Sequence, residues 1–452
     1  MKNEILILID ERKFSSLRQV LISLNPTDIS IILKETESKD IPLVFRILPK
    51  EIAAEVFVEM DSDMQQLLIE SFSDAELKDV LDELFIDDTV DIIEEMPAVV
   101  ANKILKQTDN KTRQMINKLL AYPDSSAGSV MTIEYISIKK NMTVDEAFVH
   151  IRQNAVDAES IYTCYVTDRS RHLLGVVTVK DLLLNHSDTV IEEIMETNII
   201  SAGTLDDREE VAKLFEKYNL YTLPIVDTEN RLVGIITVDD AIDVMQEEVS
   251  EDIEKMAAIL PSEKDYLKTG AFETFKARIP WLLFLMISAT VTGAIISSFE
   301  DNLAKWMALI AFIPMLMGTG GNSGSQSSVT VIRALSLGEI EYRDIWRVIW
   351  KELRVSVICG LVLGVVNFAK LYLVDYLLLN GFDSEIYLLE MFTISITIVF
   401  VVIVAKLVGC TLPIVAKKLG FDPAVMASPL VTTILDALSL LIYFSIAIFL
   451  LS

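Results

Sequence analysis

From Arg278 to the C-terminus the chain is dominated by long apolar stretches, and these restrict its fold more than any other feature. A helix that crosses a bilayer needs roughly 20 apolar residues. Five stretches qualify, at about 280–299, 303–322, 355–379, 388–411 and 424–450. The third carries Lys370 and Asp375 near one end and the fourth carries Lys406 near one end. Such side chains can snorkel to the interface, so neither span is excluded.

The intervening loops differ in charge. Arg333, Arg343, Arg347, Lys351 and Arg354 lie between the second and third stretches, and Lys417 and Lys418 between the fourth and fifth. The first loop has only Lys305, and the third, around NGFDSEIYLLE, has no basic residue. Basic loops stay in the cytoplasm. With five spans, this places the N-terminal part in the cytoplasm and the C-terminus outside, in a cell membrane crossed several times.

A formal charge of −27 beside a mean hydropathy of +0.43 implies two unlike parts. Of 66 acids and 39 bases, 12 and 11 fall from Arg278 onward, leaving 54 and 28 in residues 1–277, a net of −26 there. That field repels nucleic acid and attracts cations. Acidity also aids solubility with no partner at all. Three dispersed cysteines, Cys164, Cys359 and Cys410, give no disulfide framework. ILILI before Asp10 is too short for a signal peptide.

Residues 10–125 read as short helices. Met60, Phe72, Leu84 and Met96 recur every twelve residues, each followed by a turn or cap signal. Ser73 and Glu76 have capping-box spacing. A fixed period predicts a superhelical stack, with an ordinary helical bundle as the plainer alternative. Farther on, IYTCYVTDRSRHLLGVVTVKDLL aligns with LYTLPIVDTENRLVGIITVDDAI at an offset of 59. Each half reads as strand, turn, strand, helix. The pair resembles tandem CBS domains, a Bateman module. The resemblance implies that Thr178, Asp181, Thr237 and Asp240 can hold an adenine nucleotide such as ATP, since a carboxylate accepts both ribose hydroxyls. Capping of the following helix is the other use for those aspartates.

Two polar features interrupt the apolar part. The run GTGGNSGSQSS, near the cytoplasmic end of the second stretch, lets backbones approach closely or lines a wet cavity. In the last stretch, VTTILDALSLLIYF, stands one carboxylate, Asp436. An aspartate at the centre of a span costs about 2.5–3.5 kcal/mol. No Arg or Lys lies deep in another stretch to pair with it. It either bridges helices in protonated form or meets a passing cation. At about 4.5 Å and an effective dielectric near 20, a carboxylate attracts a divalent ion by roughly 7 kcal/mol before desolvation, twice the monovalent value.

RIPWLLFL, IPMLMGTGGNSGSQS and GFDPAVMASPLVTTILDALSLLIYF, with the domain order above, resemble the MgtE family of magnesium channels and transporters over nearly the whole length. The resemblance implies a multidomain α and α+β fold. Its parts are an N-terminal helical superhelix (1–127), a tandem CBS module (128–248, with halves about 128–190 and 191–248), a linker or plug helix (249–277) and a five-helix transmembrane domain (278–452). It further implies a homodimer in a lipid membrane, with the pore on the dimer axis. Asp436 then matches the pore aspartate that meets hydrated magnesium, Gly318, Gly321, Asn322 and Gln326 help shape the pore, and Asp422 lies near its cytoplasmic mouth. Magnesium keeps much of its water shell, which suits a site of few carboxylates.

The same resemblance implies gating by cytoplasmic magnesium. Candidate ligands are Glu55, Asp87 and Asp91 in the helical domain, Asp207, Asp240 and Asp243 in the CBS pair, and Glu248, Glu251 and Asp252 at the linker. Asn219 stands where family members can carry an aspartate. A second reading is a CBS-regulated secondary transporter of divalent cations coupled to protons or sodium. No G-x-x-x-x-G-K-[ST] run is present and no nucleophile–base pair stands out among His150, His172 and His186, so enzymatic chemistry is not expected.

Overall fold

The computed structural model describes residues 2–262, 266–267, 269–300, 307–376, 387–426 and 428–451. Lys305, the start of the second apolar stretch, the end of the third and most of the acidic loop before Tyr387 lie outside the described residues. The chain divides into two compact units, Met1–Gln246 and Glu247–Ser452.

The first unit opens with helices α1 (Lys2–Asp10), α2 (Phe14–Leu21), α3 (Pro26–Lys34) and α4 (Ile41–Phe45). Six more follow: α5 (Lys50–Val58), α6 (Ser62–Ser71), α7 (Asp74–Leu81), α8 (Ile86–Glu95), α9 (Ala98–Gln107) and α10 (Asn110–Leu119). These six start every twelve residues, so the period read from the sequence is the period of the helices. Caps set it: Asp61, Ser73 and Asp109 each accept from the first turn of the next helix, and Ser73 with Glu76 closes a full capping box. Met60, Phe72 and Met96 are buried where one helix hands over to the next. Phe45, Phe57 and Phe72 form an aromatic cluster with ring centroids 5.4–6.5 Å apart.

The two CBS halves follow. The first has β1 (Tyr135–Lys139), α11 (Val144–Asn154), β2 (Ser160–Thr167), β3 (Leu173–Thr178), α12 (Val179–Leu184) and α13 (Ile191–Ile194). The second has β4 (Ala202–Gly203), α14 (Arg208–Tyr218), β5 (Thr222–Val226), β6 (Leu232–Thr237) and α15 (Val238–Met256). Each half builds a three-stranded sheet with one parallel and one antiparallel pairing. The helical stack and the second half share one hydrophobic core, in which Ile104 and Ile116 join Val211, Phe215, Leu223 and Ile236. Asn219 ends α14 in the left-handed conformation at φ 52°, which asparagine tolerates better than most residues. The α15 helix continues across the unit boundary, so the expected linker start at 249 falls inside a continuous helix.

The second unit holds α16 (Ala271–Ser298), α17 (Met307–Ile310), α18 (Ile313–Ser336), α19 (Ile345–Lys370), α20 (Tyr387–Lys418) and α21 (Ser428–Leu451). Among the described residues, four helical segments are long and apolar enough to cross a membrane: Ala271–Ser298, Tyr342–Leu373, Leu388–Lys418 and Pro423–Leu451. Leu282, Met286 and Val291 on α16 and Ile358, Val362 and Val366 on α19 are exposed, an apolar surface suited to lipid. The polar run expected near a span end instead lies within the 24-residue α18, which continues to Ser336. Hydroxyls keep that helix intact by bonding inside it, Thr319 to the Met315 carbonyl and Thr330 to the Gln326 carbonyl, each at 2.7 Å.

Candidate functional site

Two groups of polar residues, one in each unit, carry chemistry. In the second unit α18 packs against α20 and α21 through glycines. A Cβ on Gly320 would meet Ser439 Oγ at 2.5 Å, and one on Gly321 would meet Thr432 Cγ2 at 3.1 Å. Thr432, Asp436 and Ser439 follow at helical spacing on one side of α21, so Asp436 stands along this glycine seam. Asp436 is partly buried, and among the described residues nothing hydrogen-bonds or ion-pairs with it. Gly318, Asn322 and Gln326 fall four residues apart on an exposed face of α18, whereas Gly321 is buried in the seam. The four expected pore residues thus divide into an exposed polar stripe and one packing position.

Lys406 corrects an expectation. It does not snorkel from a span end: it is 6% exposed and bonds Ser327 Oγ at 3.4 Å, drawn in by the polar side of α18. It is engaged there, so it is not a partner for Asp436. Asp422 has a basic partner. Lys255 Nζ lies 2.8 Å from Asp422 and 2.6 Å from Glu251, a fixed ammonium between two of the expected magnesium ligands. Asp422 also caps the Ala424 N–H at 2.8 Å.

In the first unit, Asp87 and Asp91 on α8 face Asp240 at the start of α15. The structure adds acids that the sequence reading missed: Asp88, Glu134, Glu159 and Asp239 crowd the same place. Glu134 accepts the Ile86 N–H at 2.8 Å, closing the N-terminus of α8 from across the CBS module. Burial first, and then the Asp88 and Asp240 charges, push the Asp87 carboxyl well up. Burial first, and then neighbouring acids (Asp240 and Glu134 for Asp88, Asp239 and Asp243 for Asp240, Asp240 and Asp88 for Asp91 and Glu159), raise Asp88 and Asp240 to about 6, Asp91 to about 7 and Glu159 to about 8. Of these raised carboxyls Asp91 is the exposed one, so its shift is the most open to screening. Asp87 Oδ1 is buried without a hydrogen-bond partner, an acceptor facing other acceptors. Among the described residues no three side chains converge closely enough to ligate a bare metal, so an ion here would keep its water.

The other expected ligands are more scattered. Glu55 is exposed on α5, and Glu59 is the residue there that bears on Asp243. Burial and then Asp239 and Glu59 raise the Asp243 carboxyl. Asp207 caps α14 by accepting from the Glu209 and Glu210 N–H groups. Glu248 and Asp252 lie one turn apart on α15. In the CBS halves, Asp181 Oδ2 takes the Thr178 N–H and hydroxyl, and Asp240 Oδ2 takes the Thr237 hydroxyl at 2.6 Å. Both aspartates therefore already brace their own helix starts.

Known proteins share the order of these domains. A family model described as a divalent cation transporter matches residues 313–446, one for the MgtE intracellular N domain matches 24–125, and CBS models match 127–187 and 191–247. The magnesium transporter MgtE of Thermus thermophilus is 36% identical over 96% of this chain and 94% of its own length. This chain belongs to the MgtE family. The Bacillus subtilis MgtE is 35% identical over 98% of this chain and 96% of its own. A crystal structure of the cytosolic domain of the Mg2+ channel MgtE in complex with ATP is 34% identical and covers 54% of this chain and all of its own, with a TM-score of 0.52. The polar stripe, the glycine seam and Asp436 all lie within the segment matched as a divalent cation transporter.

Proposed function

We propose that this MgtE-family protein carries magnesium into the cell, as a homodimer with five spans per chain, and that cytoplasmic magnesium shuts it by binding among the acids of its soluble part. The observation that carries the reading is Asp436: a carboxylate in an apolar helix, without a protein counter-charge among the described residues, beside a seam of glycines and hydroxyls. Its partner is the transported cation. Hydrated magnesium exchanges part of its shell with Asp436 and with the exposed face of Gly318, Asn322 and Gln326. Cysteine and histidine do not contribute ligands here, so the donor set is oxygen only, as a hard cation prefers. Lys255 between Glu251 and Asp422 ties α15 to the segment that leads into α21, a contact through which a linker helix acts on the path.

The acidic group around Asp87 supplies the sensor. Its carboxylates repel one another when ionised, and a hydrated divalent ion relieves that repulsion. Nucleotide binding at the CBS pair draws support from the ATP complex of the related cytosolic domain. Asp181 Oδ1 has no protein partner among the described residues and is free to accept a ribose hydroxyl. Uptake tests the whole reading: in cells unable to grow at low magnesium, the parent should restore growth and Asp436→Ala should not. Growth restored by Asp436→Ala would remove the pore assignment. Reversal potentials under shifted pH and sodium separate conduction from coupling to protons or sodium, since only a coupled carrier follows those gradients.

A further inference from the structure

Three polar side chains deep in the second unit are not used by the ion path. Ser327 of α18, Glu352 of α19 and Lys406 of α20 are 2%, 8% and 6% exposed. The Ser327 hydroxyl donates to Glu352 Oε2 at 2.7 Å and accepts from Lys406 Nζ at 3.4 Å. One hydroxyl thus links a buried carboxylate and a buried ammonium from two other helices. Charges inside spans are costly, and a buried pair gains little over an apolar pair of equal volume. Raw stability does not account for them. Such groups are best attested as devices that set register.

The α18 helix needs such a device. Its contacts with α20 and α21 pass through glycine: a Cβ on Gly409 would strike the Gly324 carbonyl oxygen, and one on Gly324 would strike Leu435. Surfaces of this kind bring backbones close but offer few side-chain knobs against rotation. Ser327 and Ser328 supply fixed points. Ser328 Oγ donates to the Met426 carbonyl at 2.8 Å, just ahead of α21. The two serines therefore tie α18 to α19, to α20 and to the entry of α21. They directly follow Gln326, the last residue of the exposed stripe. A slip of one residue turns a helix by about 100°, enough to take Asn322 and Gln326 off that face.

We propose that Glu352, Ser327 and Lys406 are positioning residues for transport: a neutral three-helix strut that fixes the rotation of α18 and so aims Asn322 and Gln326 at the ion path. This rests on reading Asp436 and that stripe as the path. The strut touches no ion itself. Its failure loosens discrimination among divalent cations, because a stripe held loosely adapts to larger ions as readily as to small ones.

The test uses the full-length protein in liposomes, with magnesium and calcium influx measured in parallel and thermal melting of the same preparations. The double variant Glu352→Gln/Lys406→Met removes the strut without stranding a charge, whereas Ser327→Ala removes the hydroxyl that joins the two buried charged groups. The double variant should melt within a few degrees of the parent, Ser327→Ala lower, and in both magnesium-over-calcium discrimination should drop about tenfold or more. Lys406→Met alone leaves Glu352 buried without its counter-charge and should lose melting stability that the double variant regains. Parental discrimination in Ser327→Ala and in the double variant overturns the proposal. So does a loss of flux that merely tracks a loss of melting stability, since that is a structural role only. Asp436→Ala run alongside should abolish magnesium flux without altered melting. Retained flux there sinks the path reading, while the strut is judged by its own selectivity ratio.

Discussion

Asp87 is a single side chain whose surroundings leave one acceptor unanswered. Its Oδ1 is buried and unbonded, and Asp88 and Asp240 add charge of the same sign. An ionised carboxylate there is unfavourable until a cation arrives. Asp87→Asn removes the charge, keeps the shape and adds two donors that face acceptors. The variant should be more stable than the parent in magnesium-free buffer at pH 8, by about 1 kcal/mol. Its melting temperature should also respond less to added magnesium. Melting curves with and without magnesium measure both effects. A parental magnesium response in Asp87→Asn would remove Asp87 from the sensor.

At the scale of helices and strands, much of the fold is legible because local rules repeat. The twelve-residue period reappears in the helix starts from Lys50 to Asn110, since each turn uses similar caps and a buried residue at the handover. The CBS duplication is legible for the same reason: equivalent strands and caps recur 59 residues apart, and Thr178 and Thr237 both begin helices. What the sequence hides is contact between distant positions. Lys406 meets Ser327 from 79 residues away, so nothing local marks it as buried. Glu134 and Glu159 reach the Asp87 group from the CBS module, and a scan for acids spaced along one helix passes over them. The glycines of the α18 run are legible as places where backbones approach, but their partner is not: Gly324 meets Gly409, where two helix backbones touch. Gly409→Ala would drive a methyl into the Gly324 carbonyl, and backbone cannot move aside as a side chain can. The expected loss is about 1–3 kcal/mol or more, with lower yield of folded protein. Gly318→Ala meets open space and should melt like the parent. Equal melting of the two variants would mean that the α18–α20 seam is looser than its geometry.

For the whole molecule, the acidic soluble part makes stability depend on pH and magnesium together. Asp88, Asp91, Asp240 and Glu159 have carboxyls raised to between about 6 and 8 in the folded state, against ordinary values near 4 in an unfolded chain. The folded state therefore binds more protons than the unfolded state across that window, and stability falls as pH rises through it. The stabilising protonated forms are fully present below about pH 4 and are lost by about pH 8. A divalent ion among these acids reverses the sign, because it binds the ionised form and binds it better as protons leave. Without magnesium, the full-length protein should show soluble domains that grow more open to protease between pH 5.5 and pH 8 (a range set by those carboxyls). With millimolar magnesium, a concentration suited to weak carboxylate sites, protection should persist at pH 8. Digestion that ignores pH in magnesium-free buffer would show that the acids are already neutralised by something else. Digestion that ignores magnesium at pH 8 would show that they are not where the cation acts. Protection by magnesium at pH 8 but little at pH 5.5 is the outcome that joins the charge of residues 1–277 to control of the membrane unit, since protons and magnesium then compete for the same carboxylates.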